Sequence, residues 1–235
     1  MKIISHRGES NYAPENTMSS FFLAYLNGAD GIETDVRKAK DNTLVLHHDK
    51  TINRTSNGIG KVSSHNYNEL LKYDFGISKG KKYTGEKIPT LKDFLKYFGN
   101  KNTSLYIEMK ETGYENLVVD LINKYNKENI IVMSFKYEIL ENICKIDKSI
   151  KLGWLLYEIN NDTIDKLKKI NANKAICTSI CLDIDDVNEC HNNNFDVVAW
   201  GVLGGSDLRR LESIGVDFAI YDSYLDAKGI LEKHI

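Results

Sequence analysis

Residues 31–36 read Gly31-Ile32-Glu33-Thr34-Asp35-Val36, and the alternation within them sets the reading of the whole chain. Side chains of a strand point to opposite faces in turn, so Glu33 and Asp35 share one face while Ile32, Thr34 and Val36 share the other. If the apolar face is buried, two carboxylates stand side by side on the second face. That is costly unless the acids lie in water or a proton, a cation or a metal compensates them. An edge strand with solvated acids is the plain alternative.

Working outward, the same rhythm recurs. An apolar run at residues 2–5 ends in His6-Arg7-Gly8. Another at residues 43–46 leads into His47-His48-Asp49. At residues 104–110, Leu105, Ile107 and Met109 alternate with Tyr106, Glu108 and Lys110. Strand-like segments at 2–6, 29–36, 104–110, 130–134, 151–157, 174–178, 195–202 and 216–221 alternate with helical patterns at 15–27, 90–98, 114–125, 137–146, 162–170, 183–192 and 208–214. Alternation of this kind predicts a parallel sheet with helices outside, and eight strands predict an α/β fold, a (β/α)8 TIM barrel. An open doubly wound sheet is the competing arrangement. Pro14 suits the first turn of the first helix and Gly28 its end. Residues 50–88 break the rhythm with glycines and polar residues. They read as a small insertion after the second strand, placed over the barrel mouth, within one domain spanning residues 1–235.

Length and charge narrow the function. The chain has 235 residues, 27% charged and 42% hydrophobic, with a formal net charge of −2. Such a balance gives no broad electrostatic case for nucleic acid or an anionic membrane. No apolar run approaches the length of a membrane span and no secretory signal is visible, so a cytoplasmic location is expected. Cys177, Cys181 and Cys190, followed by His191, lack the Cys-x-x-Cys pair of a zinc site. With Cys144 they read as reduced structural thiols.

Barrel enzymes carry their sites at the C-terminal ends of the strands. His6 ends the first strand here, Glu33 and Asp35 the second, Glu108 and Lys110 the third, and Trp200 lies near the end of the seventh. Three carboxylates gathered there suit one hard divalent cation, Mg²⁺ or Ca²⁺. A histidine at a strand end suits acid–base work, and an arginine fork matches a phosphate.

The combination is more specific than its parts. His6-Arg7-Gly8, Pro14-Glu15-Asn16-Thr17, Glu33-Thr34-Asp35-Val36 and His48-Asp49 follow in order, with Arg54-Thr55, Pro89-Thr90-Leu91 and Ile107-Glu108-Met109-Lys110 behind them. Together they resemble the glycerophosphodiester phosphodiesterase family. The resemblance implies hydrolysis of a small-molecule glycerophosphodiester to sn-glycerol 3-phosphate and an alcohol. It assigns the metal to Glu33, Asp35 and Glu108, acid–base roles to His6 and His48, and phosphate contacts to Arg7 and Lys110. Trp200 would floor the alcohol pocket, and Asn16 would stabilise the first loop. Where the family usually has a Gln before Ser-Phe, a Trp-Thr-Val-Asn and a Thr-Asp-x-Pro, this chain has Met133, Trp200-Gly201-Val202-Leu203 and Tyr221-Asp222-Ser223-Tyr224. These departures bear on the alcohol side of the pocket. A lysophospholipase D, with Phe75, Ile77 and Tyr83 of the insertion lining an acyl path, is a second enzymatic reading. A non-catalytic phosphate- or metal-binding barrel is a third.

Overall fold

The computed structural model describes residues 1–232. Eight parallel strands close a ring: β1 (Lys2–Ser5), β2 (Gly31–Lys38), β4 (Ser104–Met109), β5 (Ile130–Ser134), β6 (Lys151–Leu156), β7 (Lys174–Thr178), β8 (Asp196–Trp200) and β9 (Phe218–Tyr221). Pairing of β1 with both β9 and β2 completes the closure, so the ring has no free edge. Each ring strand leads to a helix on the outside. These are α1 (Met18–Leu26), α3 (Leu91–Phe98), α4 (Glu115–Ile122), α5 (Tyr137–Ile146), α6 (Asn161–Lys169), α7 (Ile184–Asn192), α8 (Gly205–Ser213) and α9 (Tyr224–Leu231). The architecture is the (β/α)8 barrel, not the open doubly wound sheet. The apolar run at 43–46 forms a short strand, β3 (Leu44–Leu46), which pairs antiparallel with the far end of β2 and stays outside the ring.

The alternation within strands divides the core in two. Ile32, Val36, Leu105, Ile107 and Met109 face the helices and join the large apolar layer between sheet and helices. The other face of each strand fills the barrel: Ile4, Tyr106, Ile131, Met133, Leu155, Ile176, Val198 and Ile220 pack there. Gly31 accommodates the largest of these, since a Cβ at Gly31 would stand 3.2 Å from the Tyr106 ring. Apolar filling occupies the middle of the barrel and leaves the charged positions of β2 and β4 at its C-terminal mouth.

The first loop is tighter than its sequence suggested. Helix α1 begins at Met18, capped by Thr17 in a reciprocal pair with Ser20, and Pro14 lies outside it. Residues 14–17 instead form a turn, in which the Thr17 hydroxyl donates to the Pro14 carbonyl and Asn16 takes a left-handed φ of 54°. Gly8 has φ 81°, and a Cβ there would lie 2.4 Å from Ser20 Oγ. Glycine is therefore required for α1 to lie directly against the His6–Arg7 turn.

Between β3 and α3 the chain forms α2 (Tyr67–Leu70) and several short turns around a small cluster of Ala39, Val45, Ile52, Val62, Leu70, Phe75 and Ile88. Phe75 is buried in that cluster and the Tyr83 hydroxyl donates to the Tyr12 carbonyl at 2.7 Å. These two side chains hold the segment together and against the first loop rather than lining an acyl path; only Ile77 of the three is exposed. Among the described residues, no helix is long and apolar enough to cross a membrane.

Candidate active site

Register places the acids. Strands β2 and β4 pair so that Glu33 stands opposite Tyr106 and Asp35 opposite Glu108, on the interior face. Single ligand oxygens of Glu33, Asp35 and Glu108 all lie within 4.8 Å of one another, and the three residues are buried. Two cations face them. Lys110 Nζ lies 2.7 Å from Asp35 Oδ1 and 2.6 Å from Glu108 Oε1, and Arg7 Nε lies 3.2 Å from Asp35 Oδ2. Neither contact to Asp35 is aligned as a hydrogen bond, so Asp35 Oδ1 and Arg7 Nε have ionic neighbours but no directed partner.

The first loop orients this cluster through its backbone and through Asn16. The Arg7 N–H donates to Glu33 Oε2 at 2.8 Å. Asn16 Nδ2 donates to Asp35 Oδ2 at 2.7 Å, while its Oδ1 accepts from the Thr34 hydroxyl and from the Asp35 N–H. Asn16 thus fixes Asp35 as well as the loop, which is why a left-handed backbone is tolerated there.

Three buried carboxylates against two cations leave a surplus of negative charge, and the titration of the group reflects it. Burial, and then Asp35, drives the Glu33 carboxyl well above the usual range. The same two causes push Glu108 up to about 7. Burial acts on Asp35 in the same direction, but Lys110 and then Arg7 prevail and hold it below the ordinary value. An all-oxygen donor set, an undirected ligand oxygen and a deficit of positive charge together fit one hard divalent cation. The free thiols offer no comparable site: Cys177 and Cys190 are buried in the apolar layer, where burial pushes both up to about 12.

Two histidines flank the cluster, each held by a carboxylate. His6 follows β1, and its Nδ1 lies 2.7 Å from Asp222 Oδ1 beyond β9. His48 Nδ1 lies 2.7 Å from Asp49 Oδ1. An ionised carboxylate only accepts, so in both pairs Nδ1 carries the proton and Nε2 is the nitrogen left for chemistry. Burial, with Arg7 and Lys110 adding, lowers the His48 pKa against the pull of Asp35. His47 is a different case. It is buried, bonded at Nε2 to Thr55 Oγ1 and at Nδ1 to the Asp49 carbonyl, and it serves the loop.

One cavity of about 350 Å³ opens at the mouth of the barrel. His6, Arg7, Glu33, His48, Glu108 and Lys110 form its polar side. Met133, Phe135, Leu155, Trp200, Val202 and Leu203 form an apolar side opposite. Trp200 is fixed by a hydrogen bond from Nε1 to the Leu156 carbonyl and packs perpendicular to Phe135, with ring centroids 5.2 Å apart. Asp35 is the one member of the expected set that lies behind the cavity rather than in its lining. Asp222 and Asp49 were not singled out from the sequence. Asp222 is the acid kept in a segment whose neighbours depart from the family's pattern, and its role depends on a partner 216 residues away. Asp49 stands out in the sequence only as the residue that follows His48.

The polar side lies where a phosphodiester can meet two cations, an acidic cluster and two histidines at once, and the comparisons with known proteins point the same way. The model of the glycerophosphoryl diester phosphodiesterase family matches residues 6–225. A glycerophosphodiester phosphodiesterase of Caldanaerobacter subterraneus is 35% identical over 227 residues, covering 94% of this chain and 93% of its own. An Oleispira antarctica phosphodiesterase, solved in complex with the product sn-glycerol-3-phosphate, superimposes with a TM-score of 0.91 at 25% identity, covering 99% of this chain and 97% of its own. A glycerophosphodiester phosphodiesterase from Parabacteroides distasonis gives 0.83, also at 25% identity, over 98% and 96% of the two chains. With fold and family model in agreement over nearly its full length, the chain belongs to the glycerophosphoryl diester phosphodiesterase family and is a phosphodiesterase of that class.

Proposed function

We propose that this enzyme hydrolyses glycerophosphodiesters to sn-glycerol 3-phosphate and an alcohol, using one divalent cation held by Glu33, Asp35 and Glu108. The observation that carries this reading is the meeting of three buried carboxylates with two carboxylate-held histidines at the mouth of one cavity. The relative solved with sn-glycerol-3-phosphate supports the choice of product.

When bound, the cation supplies Lewis-acid stabilisation of charge on the phosphoryl group. The chain's own residues supply the rest. Arg7 and Lys110 stand beside the carboxylates and line the cavity, so their positive charges can face phosphoryl oxygens and offset charge gained in the transition state. Nε2 of one histidine takes the proton of the glycerol 2-hydroxyl as its oxygen attacks phosphorus. Nε2–H of the other gives a proton to the departing alcohol oxygen as the P–O bond breaks. Water then opens the cyclic glycerol phosphate with the two roles reversed, which regenerates the 2-hydroxyl. An internal nucleophile avoids the entropy of recruiting a second reactant.

One observation favours a second reading of the alcohol side. The loops after β5, β6, β7 and β8 each present an exposed apolar residue, namely Phe135, Tyr157, Ile180 and Leu203. A rim of this kind would accept the acyl chain of a lysophospholipid, so the assay includes both substrates. Turnover of glycerophosphocholine above lysophosphatidylcholine supports the main reading, the reverse order supports the lysophospholipase D, and turnover of neither contradicts both.

Three outcomes follow from the site. Exhaustive chelation abolishes turnover and re-addition of Mg²⁺ or Ca²⁺ restores it; full activity after chelation contradicts the metal assignment. His6→Ala and His48→Ala each lower kcat by about 10²–10⁴-fold, the range of general acid–base groups, while metal affinity measured by calorimetry is kept. Near wild-type kcat, or loss of the ion, removes that histidine from the role. A diester lacking only the glycerol 2-hydroxyl is cleaved far more slowly than its parent. If it is cleaved equally fast and no cyclic product can be trapped, water attacks phosphorus directly.

A further inference from the structure

Arg54 lies in the loop after β3, about half exposed, yet all of its guanidinium contacts go to two carboxylates. Its Nε donates to Asp49 Oδ2 at 2.7 Å and its Nη2 to Asp49 Oδ1 at 3.1 Å. On the other edge, Nη1 donates to Glu15 Oε2 at 2.6 Å and Nη2 to Glu15 Oε1 at 2.8 Å. Each carboxylate has one further partner, and each partner belongs to the site. Asp49 Oδ1 meets His48 Nδ1, and Glu15 Oε1 accepts from Arg7 Nη1 at 2.8 Å. A continuous chain of charge-assisted contacts therefore runs Arg7–Glu15–Arg54–Asp49–His48.

We propose that Arg54 is a positioning residue for the reaction, acting on His48 through Asp49. Two features separate this role from simple loop packing. First, the loop has its own anchor: His47, buried, bonds both Thr55 Oγ1 and the Asp49 carbonyl, and Arg37 holds the His48 carbonyl through Nε at 2.8 Å and Nη2 at 2.6 Å. The backbone is fixed without Arg54, which leaves the Asp49 and Glu15 side chains as what Arg54 holds, and of these Asp49 is the one that meets a histidine. Second, the two histidine–carboxylate pairs differ. The Asp222 side chain has His6 as its hydrogen-bond partner and is exposed, whereas Asp49 is clamped by an arginine fork as well. The clamp engages both Asp49 oxygens and keeps the carboxylate ionised, the Arg54 hydrogen bonds being the largest cause of its lowered pKa. An ionised, oriented Asp49 keeps the His48 proton on Nδ1 and its Nε2 aimed at the cavity. Lysine cannot replace this function, because a point charge does not span two carboxylates as a planar fork does.

The inference rests on the acid–base role of His48, so His48→Ala is measured alongside as the separate test of that reading. Arg54→Gln, Arg54→Lys, Asp49→Asn and Arg54→Gln/Asp49→Asn are compared for kcat, KM and thermal unfolding. Arg54→Gln is expected to lower kcat by about 10- to 100-fold, as outer-shell partners of active groups do, with KM little changed. Arg54→Lys gives little rescue. The double variant is no slower than Asp49→Asn alone, since a residue acting through Asp49 has nothing left to act on. Wild-type kcat in both Arg54 variants, or a double variant whose loss is the product of the two single losses, overturns the proposal. If Arg54→Gln does not fold, Arg54→Lys combined with Asp49→Asn gives the same cycle. An inactive His48→Ala beside unaffected Arg54 variants refutes this inference alone, and an active His48→Ala refutes the reading beneath it.

Discussion

Three carboxylates buried beside one another, with two cations to oppose them, are the constraint around which this barrel mouth is built. Burying charge is expensive unless it is paired, and here the pairing is one positive charge short. The structure tolerates the deficit by holding Asp35 ionised under Lys110 and Arg7 while Glu33 and Glu108 are driven toward their protonated forms. A well-packed apolar replacement would remove the cost, so the arrangement makes physical sense as a site that a cation completes.

The surrounding fold supplies rigidity to this cluster. The β2–β4 register sets Asp35 opposite Glu108, Asn16 bonds one Asp35 oxygen from a strained backbone, and the Arg7 N–H holds Glu33. Gly8 lets α1 press its Ser20 hydroxyl onto the Arg7 carbonyl, which fixes the turn that bears both His6 and Arg7. Apolar filling by Tyr106, Met133 and Leu155 closes the barrel beneath. Polar and apolar sides of the cavity consequently come from different strands: β1, β2 and β4 with the loops after β3 and β9 carry the charge, and β5, β6 and β8 the apolar wall.

Much of this was legible in the sequence because its signals are local. Alternation of side chains along 31–36 and 104–110 announces two faces, and the succession of strand and helix patterns announces the barrel. The acids, His6, His48, Arg7 and Lys110 could be placed at strand ends for the same reason. What escaped depends on distant partners or on backbone geometry. Pro14 looked like a helix start because nothing local reports that Asn16 adopts a left-handed turn to reach Asp35. Phe75 and Tyr83 looked available for a ligand because apolarity alone does not reveal that one packs inside the insertion and the other bonds Tyr12. Asp222 and the Glu15–Arg54–Asp49 clamp become visible only when residues from separate loops meet.

The central claim is that the acidic cluster is a cation site and not merely a charged patch. Thermal unfolding of the wild type and of Glu108→Gln, each with chelator and with saturating Mg²⁺ or Ca²⁺, tests it most directly. A ligand that binds only the folded state stabilises it by about 2.7 kcal/mol at a hundred times its Kd. The account predicts that the wild type gains stability with the ion and that Glu108→Gln gains little. In chelator the variant is at least as stable as the wild type, because a neutral amide relieves the surplus charge. No gain in the wild type, or an equal gain in the variant, would contradict it.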